Sequence, residues 1–264
     1  MKRAAESPDG RHLSPLLRRL VAEHATGALL RDSGTLYLAD GQVVHAESPA
    51  APGLDVLLTA GGRLRPETWQ QAVDQVGGRG SVGRFLVDSG QITGGELELC
   101  HAGALFDAAF FTLAPSSGPT RFRYGVVHWI GPVRPVPARE VARETARRRE
   151  LLRRIWPHPE IDTAPVVRAP GRPGPPRPPR QRALLALADG VRTPQDIARL
   201  LGRPAFHTLV ETRRLAADGT IETPLVTVPP RPLPAPLAQA AAEAETVADV
   251  ALLRRLRDAL EATL

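Results

Sequence analysis

Prolines divide this chain before any other feature does. Nine of them fall between Pro157 and Arg180 among almost no apolar residues, and a second cluster runs from Pro224 to Pro236. Proline fixes φ and has no amide hydrogen, so neither a helix interior nor a central strand should pass through either stretch. A run such as GRPGPPRPPR (171–180) is expected to be an extended polyproline spacer. The pattern predicts an α+β domain over 11–133, an arginine-rich helix over 136–156 and a spacer over 157–180. A small helical domain over 181–223, a second spacer over 224–236 and a C-terminal helix over 237–264 complete it.

The first piece alternates between helical and strand periods. From His12 to Glu23 the residues read as a helix: Ser14 caps it, Pro15 takes its first position, and Leu16, Leu17, Leu20 and Val21 share one face. Gly27 to Arg31, Thr35 to Ala39 and QVVHA (42–46) then read as three short strands. Asp40-Gly41 between the last two is a hairpin turn, because both residues tolerate positive φ. From Leu54 to Leu113 the spacing is helical and ends in a long apolar helix from Leu97. Thr120 to Val127 alternates again and is expected to close the sheet.

The segment from Gly78 to Gly83 formally satisfies the G-x-G-x-x-G dinucleotide fingerprint. Such a loop needs a strand before it and an acid about 20 residues after it. Here PETWQQAVDQV (66–76) has helical spacing and no acid stands at that separation, so the match is an accident. Cys100 and His101 are neighbours, and neighbours on a helix point about 100° apart, which rules out a thiolate–imidazole pair. The seven histidines show no metal-ligand spacing, and His45 on a hairpin strand reads as structural. No catalytic residue, cofactor or metal is expected. With Cys100 as the only cysteine, no signal-peptide core, and an apolar run at 102–114 too short to span a bilayer, the expected place is the cytoplasm, away from membranes.

Arg180 to Ile221 carries the strongest pattern. Three short helical segments are expected, the second opened by Thr193-Pro194 and closed by Gly202, the third running from Arg203-Pro204 to Asp218-Gly219 and followed by the short strand Thr220-Ile221. That order is a winged helix-turn-helix. On the third helix Phe206, Leu209, Thr212 and Leu215 are expected inward, with His207, Val210, Glu211, Arg213 and Arg214 outward. Arg203, His207, Arg213 and Arg214 are therefore the candidate DNA contacts. Glu211 and Val210 in the middle of that face, and the lack of a basic wing, point instead to a protein partner. The chain's net charge of +6 favours acidic partners. Arg134 to Arg182 holds 13 arginines against five acids, a local excess of eight.

The block LSPLLRRLVAEHATGALLRDSGTLYLADGQVVHAES (13–48) resembles the PATAN domain of bacterial signalling proteins, with its leucine-rich opening helix, G-x-L-Y-L strand and DG-x-V-V-H-A hairpin. The resemblance runs on through SVGRFLVDSGQI (81–92), FRYGVV (122–127), RRRELLRRI (147–155) and the helix-turn-helix, covering about Leu13 to Ile221. It is similar to an actinobacterial version in which a PATAN domain precedes a winged helix. The resemblance implies a non-enzymatic regulator or adaptor working through contacts with signalling proteins. It transfers no catalytic residue, and Asp40 and Gly41 remain hairpin geometry. The final helix, with Val247, Val250, Leu253, Leu256, Leu260 and Leu264 in one stripe, could dimerise or dock back. Two functions are thus expected: a regulator that binds double-stranded DNA through the winged helix, or a protein–protein adaptor whose winged helix binds no DNA.

Overall fold

A computed structural model describes residues 13–79, 81–170 and 177–223. The expected second spacer at 224–236 and the C-terminal helix at 237–264 lie outside them. Helix α1 (Pro15–Ala22) begins where Ser14 Oγ accepts the Leu17 amide hydrogen at 3.2 Å, with Pro15 in the first turn. Strands β1 (Gly27–Arg31), β2 (Gly34–Ala39) and β3 (Gln42–Glu47) form an antiparallel meander. Asp40 at φ 49° and Gly41 at φ 73° supply the paired positive dihedrals that a type I′ turn requires.

Four helices follow: α2 (Leu54–Thr59), α3 (Pro66–Val76), α4 (Val82–Asp88) and α5 (Gly94–Thr112). A helix, α3, therefore precedes the glycine segment, and the Gly83 amide serves the Ile130 carbonyl at 3.0 Å. Helix α5 opens with a reciprocal Thr93–Glu96 capping box and is apolar on all sides. Leu105, Ala108 and Ala109 pack on Leu36, Leu38 and Val43 of the sheet, while its first turns, with Leu97 and Ala104, join Leu58, Trp69 and Leu86 in a second cluster.

Strand β4 (Arg121–Tyr124) pairs with β1, so the closing strand is an outer one, and the sheet order is β4-β1-β2-β3-β5. The opposite edge, β5 (Val136–Pro137), corrects the predicted helix start: Val136 and Pro137 pair with β3, and α6 runs from Ala138 to Ile155. Pro135 and Pro137 hold the residues before them extended.

Helix α7 (Pro179–Leu185) begins four residues before the Ala183–Ala188 segment that the apolar spacing marks, because Pro179 opens it, while α8 (Pro194–Leu200) and α9 (Ala205–Ala217) start at Thr193-Pro194 and Arg203-Pro204 as expected. The expected spacer at 157–180 is the main correction. Pro159–Asp162 makes a 3-10 turn, and β6 (Val167–Arg168) pairs antiparallel with β7 (Ile221–Glu222). Ile161 and Val166 are buried with Leu184, Ile197, Leu215 and Ile221. Prolines 157, 159, 165 and 170 fall outside the paired strand residues, so they do not interrupt it.

These described residues form one compact unit rather than two bodies on a tether. Helix α9 lies against α5 and α6, with Phe206 and Leu209 packed on Phe110 and Leu152. The α8–α9 turn abuts the end of α2: a Cβ on Gly202, where φ is +57°, would overlap the Ala60 Cβ. Mixed α+β architecture is the result, and among the described residues no helix is long and apolar enough to cross a membrane.

Asp107 on α5, completely buried, fixes the junction. Its Oδ1 accepts the Phe206 amide hydrogen at 2.8 Å and its Oδ2 that of Ala205 at 2.5 Å. Helix α9 has no side-chain cap of its own, because Pro204 stands at its cap position. Burial pushes the Asp107 carboxyl up to about 6, against the pull of those amides and of Arg148. Arg148 completes the site, with Nη1 3.7 Å from Oδ1 and its guanidinium 4.5 Å above the Phe206 ring. Asp107→Ala should therefore lower the unfolding free energy by roughly 2–5 kcal/mol, since it strands two buried amides and leaves Arg148 with Glu144 as its remaining acid. Asp107→Asn, which keeps one acceptor oxygen, should cost about 1–3 kcal/mol. Urea unfolding measures both, and a loss under about 1 kcal/mol for the alanine variant would show that the cap does not hold the junction.

Candidate functional site

Strand β3 turns His45 into the molecule, α5 brings His101 to it, and the segment after β4 supplies His128. All three are buried, with relative exposures of 5%, 0% and 5%. The His45 and His128 rings stack at 3.8 Å between centroids and 21° between planes. His45 Nδ1 and His101 Nε2 share a proton at 3.2 Å. The other His101 nitrogen makes no well-formed hydrogen bond and has the Val44 backbone beside it.

Glu47, two residues along β3 and half exposed, gathers the outer part of the cluster. His128 Nε2 lies 2.9 Å from Glu47 Oε1, and the Tyr37 hydroxyl donates to Oε2 at 3.0 Å. Its carboxyl is held below the usual range, chiefly by the hydrogen bond from His128. Burial, together with the Glu47 charge and hydrogen bond, pushes the Tyr37 phenol up to about 12. Burial first, and the neighbouring imidazoles second, hold His45 well below the ordinary histidine value and His101 at about 4.

A cleft of about 480 Å³ opens beside this cluster. Its walls include Pro49, Pro52, Trp69, Trp129 and Ala104, and Arg31, Asp32, Glu47 and Asp55 line it as well. Trp69 and Trp129 meet edge to face at 5.7 Å.

Donor atoms of His45, Glu47 and His128 lie within 4.8 Å of one another, a spacing that a metal ion can bridge. The hydrogen bonds oppose it. Ile130 donates its amide hydrogen to His128 Nδ1 at 3.2 Å, which leaves the ring proton on Nε2, directed at Glu47. Two stacked rings also cannot both aim an in-plane lone pair at one ion. A metal would have to displace that proton and turn one ring.

The predicted DNA contacts divide. Arg203, His207 and Arg214 line a second cleft of about 340 Å³ with Arg180, Leu184 and Val210. Arg214 is paired there to Glu211 at 2.9 Å, and Glu211 also accepts from Gln181. Burial, then Arg148 and Arg180, lowers the His207 pKa, so its ring is not a reliable cation at neutral pH. Arg213, expected outward, is a correction. It is 4% exposed, bound to both Asp162 oxygens and to the Trp156 carbonyl. Val210, also expected outward, is buried. The cause is the same for both: residues 156–162 and helix α6 cover faces of α9 that an isolated helix-turn-helix leaves open. Asp40 and Gly41 form the hairpin turn, where the Asp40 amide hydrogen also bonds to Thr26 Oγ1 at 3.0 Å.

No protein-family model matches the chain, and no curated protein or solved structure matches it either.

The histidine cluster escaped the sequence because its members stand at 45, 101 and 128 with no local spacing in common. Its signature is in the titration. For His45 and His101 the folded pKa lies below the unfolded one, so their contribution to stability is complete above about pH 6.5 and is lost as the pH falls, for His101 through about 4. His101 alone should account for roughly 2 kcal/mol between pH 7 and pH 5. Urea unfolding at the two pH values should show that loss, and His101→Leu should shrink it; an unchanged pH difference in the variant would assign the acid sensitivity elsewhere.

Proposed function

We propose that this chain is a non-enzymatic signalling regulator that acts through protein contacts, and that its helix-turn-helix portion is a structural half of one body rather than a DNA reader. The carrying observation is the seat of α9. A recognition helix reads base edges mainly from its N-terminal turns, and here those turns are capped by Asp107 and buried against α5 and α6. One of the four candidate contacts, Arg213, is spent on an interior ion pair. The two-residue strands of the β6–β7 ribbon offer little that could track a minor groove.

Protein contact has its own support. Tyr124 at the end of β4 and, next in the chain, Val126, Val127 and Trp129 are exposed apolar residues. Exposed apolar residues this close together in the chain suit a partner segment. The resemblance of residues 13–48 to the PATAN domain points the same way, since it implies an adaptor.

DNA attraction then reduces to charge. Full-length protein mixed with a pool of genomic fragments near ~0.15 M salt should bind weakly and without enrichment of any site. Enrichment of about 1,000-fold for a defined sequence would overturn the adaptor function and restore the DNA reader. Arg213→Ala should lower stability by roughly 3–5 kcal/mol, the cost of breaking a buried pair. Arg214→Ala, at an exposed pair, should change stability by under about 1 kcal/mol. Chemical denaturation separates the two, and equal small effects would put Arg213 back on the surface.

A further inference from the structure

The cleft beside the histidines is acidic in a chain that is otherwise basic. Against a net charge of +6 for the whole sequence, its charged lining is three carboxylates, Asp32, Glu47 and Asp55, and one guanidinium. That guanidinium, Arg31, already donates Nη1 to the Thr112 carbonyl at 2.8 Å.

The floor adds an acceptor. His45 is more than nine-tenths buried and uses Nδ1 on His101. His45 lines the cleft, and Nε2 is the ring nitrogen that His101 does not engage. Burial keeps the ring neutral and so able to accept. Trp69 and Trp129 complete a wall of the kind that attracts cations. Trp129 also ends a run of chain in which Tyr124, Val126 and Val127 are exposed.

We propose that this cleft receives the guanidinium or ammonium head of a basic side chain carried by a partner segment. Glu47 balances its charge, His45 Nε2 accepts one of its N–H groups, and the Tyr124–Trp129 run covers the apolar residues beside it. The proposal rests on the protein-contact function above. It commits to a peptide cation because Trp129 both lines the acidic cleft and ends the exposed apolar run from Tyr124, and because a metal ion would have to undo the His128–Glu47 pair.

The test uses the full chain, histidine side-chain NMR and tryptophan fluorescence. The probes are acetyl-valyl-arginyl-valyl amide, its citrulline analogue, argininamide and Zn²⁺. The arginine peptide should shift the His45 signals saturably, with the neutral citrulline peptide about tenfold weaker or worse. Argininamide, which lacks the apolar flanks, should also bind more weakly. Glu47→Gln should weaken the arginine peptide by about tenfold, and Asp55→Asn, at the exposed rim, by about threefold. The second variant guards against a folding defect in the first.

Equal binding of the citrulline peptide would overturn the proposal, as would no shift up to about 20 mM peptide. Argininamide binding as tightly as the tripeptide would overturn the partner segment in favour of a small cation. Zn²⁺ that shifts His45 and His128 together and displaces the peptide would make this a metal site. If every peptide fails while DNA stays unselected, protein contact survives on other surfaces. Selection of a DNA site would remove that function without altering these affinities.

Discussion

A single buried carboxylate sets how this molecule is joined. Asp107 projects from α5, the helix that also lies on the sheet, and accepts two amide hydrogens from the start of α9 almost a hundred residues later in the chain. An ionised carboxylate without partners could not sit in such a place. Two amides, the Arg148 guanidinium and the Phe206 ring make it tolerable, and those same partners allow no other seat for α9. Sheet, central helix and the helices α7 to α9 are thereby coupled through one residue, with Phe110, Leu152, Phe206 and Leu209 filling the seam around it.

Local chemistry made much of the fold legible in the sequence. Ser14-Pro15, Asp40-Gly41, Thr193-Pro194 and the glycine after α8 each act within four residues, and each element they delimit is present. Non-local partners account for the failures. Nothing near Arg213 reveals that Asp162, 51 positions earlier, neutralises it inside the molecule. Proline content concealed Ile161, Val166 and β6, because composition averaged over a stretch hides the few apolar positions that find a core. The histidine cluster was hidden for the same reason, being assembled from a strand, a helix and a loop.

Charge is organised differently from its distribution along the chain. The arginine excess between residues 134 and 182 suggests one positive field, yet much of it is satisfied locally. Glu144 binds Arg147 and Arg148, Glu150 binds Arg153 and Arg154, and Asp218 takes Arg177. Intrahelical pairs of this kind stabilise α6 only modestly where exposed, but they shorten the reach of its field. The acidic cleft lies on a separate part of the surface, formed by β3, the segment after it and the residues before α6.

The pairing of β6 with β7 has a consequence for inheritance. The strand that completes the C-terminal ribbon comes before its three helices, and the acid that neutralises Arg213 precedes even that strand. A recombination event that cut the gene at the proline-rich stretch near residue 175 would deliver a helix-turn-helix without its second strand, its counter-ion or the carboxylate that caps its last helix. Such a half could not be traded among proteins as a ready-made part.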